Sequence, residues 1–113
     1  MLLSSIAGIT NEKGKLDYSV SKAALIKAAK ILALELGKKQ IRVNSISPAM
    51  VQTPMLLEMF ENLPEDSVAD INRRHLFGIL DTEDVANLCI FLLSDLSKRI
   101  TGTNIVIDSG FSL

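Results

Sequence analysis

The sequence predicts an α/β fold, part of a doubly wound parallel sheet with helices on both faces. Two long helical stretches alternate with short β-branched runs, an order that implies strand–helix–strand units whose crossovers lay helices on a parallel sheet. About three strands are visible in 113 residues. A sheet that small is marginal as a complete doubly wound domain, so the chain reads as starting partway through one.

Residues 1–5 form a short apolar stub that suits the end of a buried strand, and residues 6–17, with Gly8, Asn11, Gly14 and Asp17, read as a loop. From about Ser19 to Lys38 the chain is dense in Ala, Leu, Lys and Glu, and Gly37 with the lysines after it suits a helix C-terminus. Ala24, Leu25, Ala28, Ala29, Leu32 and Leu36 make one apolar face. Ile26, Ile31, Ala33 and Leu34 spread apolar surface beyond it, which predicts a helix covered on two sides. Ile41-Arg42-Val43-Asn44-Ser45-Ile46-Ser47 is the best strand, ended by Pro48, which has no N–H for the ladder. Residues 50–80 mix apolar and acidic side chains around Pro54 and Pro64, and predict a mobile excursion with one short helix near residues 56–62. A second long helix starts at Asp81, whose carboxylate suits an N-cap, with Glu83 and Asp84 favourable to the helix dipole. Gly102 then predicts a turn, Ile105-Val106-Ile107 a strand, and Asp108-Ser109-Gly110 another turn.

With 48% hydrophobic residues the chain can bury a core, and its length allows one domain at most. Twelve basic and 13 acidic side chains give a net charge of -1, with no basic run to neutralise a row of phosphates, which argues against a nucleic-acid partner. Cys89 is the single cysteine and reads as a small buried hydrophobe in a reducing compartment. No stretch approaches the roughly 20 apolar residues that span a bilayer, so no membrane partner and a cytoplasmic location are expected. One His and one Cys make no metal-ligand set, and His75 reads as a loop residue rather than a base.

Chemistry concentrates near the start. Tyr18 and Lys22 lie four residues apart at the head of the first helix and share a face. A free phenol ionises near pH ~10, and a neighbouring cation favours the phenolate, which makes a usable general acid or base. By itself such a pair is commonplace on helix surfaces. Ser5 lies thirteen residues before Tyr18, at the end of the expected strand and the mouth of the loop.

Ser4-Ser5-Ile6-Ala7-Gly8, Tyr18-Ser19-Val20-Ser21-Lys22-Ala23-Ala24 and Ile41-Arg42-Val43-Asn44-Ser45-Ile46-Ser47-Pro48 together resemble the short-chain dehydrogenases/reductases in order and spacing. Pro48-Ala49-Met50-Val51-Gln52-Thr53 is similar to that family's Pro-Gly-x-Val/Ile-x-Thr segment, and the resemblance runs on to Asp108. The overall look is nearest to the 3-oxoacyl-[acyl-carrier-protein] reductases. The resemblance implies the C-terminal half of a single Rossmann-like domain across residues 1–113, with the N-terminal half that holds most of the cofactor absent. It implies Ser5, Tyr18 and Lys22 as catalytic residues, and Tyr18, Lys22, Pro48, Val51 and Thr53 as contacts of an NAD or NADP cofactor. Its expected substrate is a small carbonyl compound or secondary alcohol, a 3-oxoacyl thioester among them. It also implies a homo-oligomer formed through the helix from about Ser19 to Lys38.

Plainer readings stand beside these: Ser5 as a loop-capping hydroxyl, Lys22 as a solvated charge, Val51 and Thr53 as ordinary residues after a strand. Met50, Met55, Leu56, Leu57, Met59 and Phe60 suit a lid over a hydrophobic substrate or plain packing equally. Ala49 stands where the family usually has Gly, so its turn is expected either not to be left-handed or to carry some strain, and Ser109 replaces the first Gly of an Asp-Gly-Gly ending. No Gly-rich turn follows a strand near the start, so the chain alone is expected to be inactive and unstable or self-associating. The alternative is a non-catalytic remnant that serves only as an oligomerisation fragment.

Overall fold

In a computed structural model that describes residues 1–11 and 13–113, three parallel strands are joined by two crossovers that carry the helices. Strand β1 (Leu2–Leu3) leads through a 3-10 turn at Ile6–Gly8 into α1 (Leu16–Leu36), and a second such turn precedes β2 (Ser45–Pro48). Then come α2 (Pro54–Glu61), α3 (Glu65–Arg74), α4 (Thr82–Leu93) and β3 (Asn104–Ile107). The strand order is β1-β2-β3, with Leu3 beside Ile46 and Ile46 beside Ile105. Among the described residues, no helix is long and apolar enough to cross a membrane.

Helix α1 packs through its small residues. Ala29 and Ala33 are buried against Val43, with Leu2, Leu32 and Leu36 around them. The spread of apolar side chains predicted cover on two sides, whereas Leu34 is 84% exposed and Ile31 44%. The helix begins at Leu16, three residues before Ser19, and Gly37 keeps helical dihedrals into the 3-10 turn; the left-handed residue that ends it is Gln40. Of the expected loop at residues 6–17, Glu12 lies outside the described residues.

β2 is shorter than the run 41–47 expected for it, and the residues just before it are tied to the segment that leads into β3, although the Asn44 carbonyl still accepts Leu2 N–H at 2.8 Å. Val43 N–H donates to the Thr101 hydroxyl at 3.0 Å, and the Asn44 side chain donates to the Ile100 carbonyl at 2.9 Å and accepts from Thr103 N–H. All four residues of β2 are buried. The hydroxyls of Ser45 and Ser47 both donate to Asn104 Oδ1 on β3, each at 2.9 Å, so one amide satisfies two polar groups with no access to water.

At residues 50–80 the expected short helix is present as α2, and a second helix that the sequence did not predict, α3, follows it. Thr53 caps α2 with its hydroxyl on Leu56 N–H at 3.3 Å, and Pro54 fills the first helical turn, where its missing N–H costs nothing. α3 follows Pro64 with Glu65 and Asp66 in its first turn and Arg73 and Arg74 in its last, the arrangement the helix dipole favours. His75 lies just past α3 as its extended C-cap, and it is packed rather than exposed: it is 3% exposed, shares a 2.8 Å hydrogen bond between Nδ1 and the Ile71 carbonyl, and lies 4.6 Å from the Phe111 ring. At α4 the Asp84 carboxylate accepts Asp81 N–H at 2.8 Å. Cys89 is half-buried with a free thiol.

Asn104→Ala strips both buried serines of their acceptor and is expected to cost roughly 1–3 kcal/mol, read as a lower midpoint in urea unfolding. Ser45→Ala or Ser47→Ala, which remove a donor and leave the amide one partner, are expected to cost less.

Candidate active site

The chain turns at Ser5. Ser4 N–H still donates to the Ile46 carbonyl at 2.8 Å, so the strand's bonding runs one residue past β1. Ser5 is extended and caps the 3-10 turn, its Oγ accepting from Ala7 N–H at 3.2 Å. The Ser5 proton stays free to be donated, because a hydroxyl that accepts still has its own O–H. Tyr18 and Lys22 stand one turn apart on α1, with Lys22 Nζ 5.5 Å from the centre of the Tyr18 ring, within reach of a cation–π contact. The ammonium also donates to the Leu3 carbonyl at 3.3 Å, which draws it toward the end of β1. Tyr18 is 47% exposed, so its phenol is accessible.

The segment after β2 forms a single parallel bridge, Val51 beside Leu80. Gln52 N–H donates to Leu80 O and Leu80 N–H to Met50 O, so in this pattern the N–H and C=O of Val51 itself point away from Leu80. Ala49 avoids the left-handed region, as its side chain requires, whereas Ser109 has φ 54 where the family usually has Gly. The Ser109 hydroxyl accepts Phe77 N–H at 3.1 Å and its carbonyl accepts Leu76 N–H at 2.8 Å, a tie between the last turn and the segment after α3.

Ser5, Tyr18, Lys22, Pro48, Val51 and Thr53 all line one open cleft of about 410 Å³. Met55, Leu56 and Met59 of α2 supply apolar lining, and so does Phe111, which the sequence reading missed. Phe111 sits beyond the last strand with no pattern around it. Its position comes from Arg74, whose guanidinium lies 3.8 Å from the ring centre and donates to the Phe111 carbonyl at 3.2 Å. A second cavity of about 520 Å³ shares Lys15, Met50, Met59 and Phe111 with the first. Among the described residues no group of acidic, His and Cys side chains could hold a metal ion.

The turn that carries Phe111 is organised by Asp108. Burial pushes its carboxyl up, but hydrogen bonds from the Ser112 hydroxyl and from the N–H groups of Ser112 and Gly110, with His75 nearby, outweigh that and hold it below the ordinary carboxylate range.

The sequence profile of a family described as enoyl-(acyl carrier protein) reductase matches residues 1–112. Dehydrogenase/reductase SDR family member 6 of Danio rerio is 42% identical over 113 residues, covering 97% of this chain and 45% of that protein. The chain belongs to the short-chain dehydrogenase/reductase family. A 3-oxoacyl-[acyl-carrier-protein] reductase of Thermotoga maritima is 38% identical over 108 residues, 96% of this chain and 43% of the relative. Among solved structures, a 4-hydroxyisoleucine dehydrogenase complexed with NADH superposes with a TM-score of 0.89 at 36% identity, covering 97% of this chain and 45% of that one. The chain thus spans less than half the length of these relatives, and its parallel sheet is the Rossmann-like sheet of the family.

Asp108 stabilises the fold above the ordinary carboxylate pKa, and that contribution is lost as pH falls through its lowered value. Thermal melts followed by circular dichroism are expected to show a midpoint that drops below pH ~4, with Asp108→Asn less stable at neutral pH and less sensitive to acid.

Proposed function

We propose that this chain is the substrate- and nicotinamide-facing half of an oxidoreductase domain that reduces a small carbonyl compound or oxidises a secondary alcohol. The observation that carries this reading is the cleft that gathers Ser5, Tyr18, Lys22, Pro48, Val51 and Thr53 from three separate stretches of sequence. The residues suit the nicotinamide end of NAD or NADP. Val51 offers an N–H and a C=O that its bridge partner does not use, Thr53 retains a donatable proton while its oxygen caps α2, and Lys22 has an ammonium at the cleft.

In reduction, Ser5 donates a hydrogen bond to the substrate oxygen and Tyr18 gives that oxygen its proton. Two donors placed before charge develops stabilise it without reorganisation. Lys22 places its ammonium 5.5 Å from the Tyr18 ring centre and holds the ribose next to the nicotinamide. The hydride is what the cofactor supplies when bound. The apolar side chains of Met55, Leu56 and Met59 suit a substrate with a hydrocarbon portion, of which a 3-oxoacyl thioester is one. A cytoplasmic location belongs to the same reading.

The pyrophosphate end of the cofactor has no glycine-rich turn to meet in these 113 residues, so the isolated chain is inactive. Purified alone it is expected to give no turnover. Fused behind the N-terminal half of the Thermotoga reductase it is expected to oxidise NADPH or NADH with a ketone substrate, and Tyr18→Phe to lower kcat by ~10² or more. A folded, cofactor-binding fusion indifferent to Tyr18→Phe would overturn the reading.

The exposure of Leu34 and Ile31 on α1 favours a second proposal, self-association through that helix whether or not chemistry is exercised. Leu34→Glu is expected to shift the chain to a smaller species in size-exclusion chromatography.

A further inference from the structure

Ser4 takes no part in the chemistry proposed above. It is nevertheless 4% exposed, and its Oγ donates to the main-chain carbonyl of Lys22 at 2.7 Å. A carbonyl inside a helix already accepts from the N–H four residues on, and its second lone pair is free for this bond. Gly8 reaches the same peptide group. A Cβ there would lie 2.8 Å from the Lys22 carbonyl carbon and 2.9 Å from Ala23 N, closer than atoms pack. Gly8 is not in the left-handed region, so it is the contact and not the backbone conformation that requires glycine. A third contact, from Lys22 Nζ to the Leu3 carbonyl at 3.3 Å, ends on the same residue.

Contacts from Leu3, Ser4 and Gly8 thus converge on Lys22 from either side of Ser5. We propose that Ser4 is a positioning residue which, with Gly8, locks the register of α1 against the end of β1 and so keeps Lys22 beside Tyr18 in the cleft that Ser5 enters. A slip of one residue along the helix turns every side chain by about 100°, enough to carry the ammonium off the cleft. The Ser4 hydrogen bond opposes that slip because a buried hydroxyl without a partner is costly. Its use rests on the oxidoreductase reading, but its test does not.

Tyr18 is the only tyrosine and the chain has no tryptophan, so the tyrosine band of the near-ultraviolet circular dichroism spectrum reports the surroundings of Tyr18 alone. Threonine and valine have nearly the same volume and differ by the hydroxyl. Ser4→Thr is expected to keep the band of the unmodified chain and Ser4→Val to lose it, with the far-ultraviolet helix signal alike in both. Gly8→Ala approaches the same peptide with Ser4 intact, and is expected to lose the band in the same way. A common spectrum for Ser4→Thr and Ser4→Val, or an unchanged band in Gly8→Ala, would overturn the proposal. Because the readout is optical, failure of hydride transfer in the fusion would count against the oxidoreductase reading alone.

Discussion

Everything in this chain hangs on β2. It is the middle strand of three, all four of its residues are buried, and it receives β1 on one side and β3 on the other. A strand so placed normally carries only apolar side chains, because parallel sheets are covered on both faces. Here two serines are tolerated because Asn104 accepts both hydroxyls at a position where β2 and β3 are in register. That pairing ties the last strand to the middle one by side chains as well as by backbone, and the turn that carries Phe111 follows directly from it.

The proposed catalytic residues were the most legible part of the cleft. One turn of helix puts Tyr18 and Lys22 on one face, which spacing shows, whereas their grouping with Ser5 was legible through the order of motifs that resemble the family. Val51 and Thr53 were legible through a motif, and their placement in the cleft comes from the bridge to Leu80 and the cap on α2. α3 went unread although its charges follow the dipole rule, because only Val68, Ala69 and Ile71 among its ten residues are apolar. His75 and Phe111 were not readable at all, since a stack between residues 36 positions apart leaves no local trace.

The shape of the chain also bears on its behaviour. Its radius of gyration is 15.4 Å, whereas a compact domain of this length has one of about 13 Å. The excess goes with large apolar side chains that have little cover, Leu34 on α1 and Ile90 and Leu93 on α4 among them. A sheet whose outer strand is only two residues long protects its central strand on one side with very little chain.

Pro48 gives the cleft its opening. Ser4 N–H donates to Ile46, and the next rung of a parallel ladder would run from the N–H of residue 48 back to the Ser4 carbonyl. Proline has no such hydrogen, so the seam between the first two strands comes undone one residue before Ser5, while Ala49 N–H still closes onto Ile107 on the far side. The sheet is therefore unzipped on one side only. Any other residue at this position would bring a hydrogen able to close one more rung, drawing Ser5 toward the segment that leads to Val51 and narrowing the gap between them.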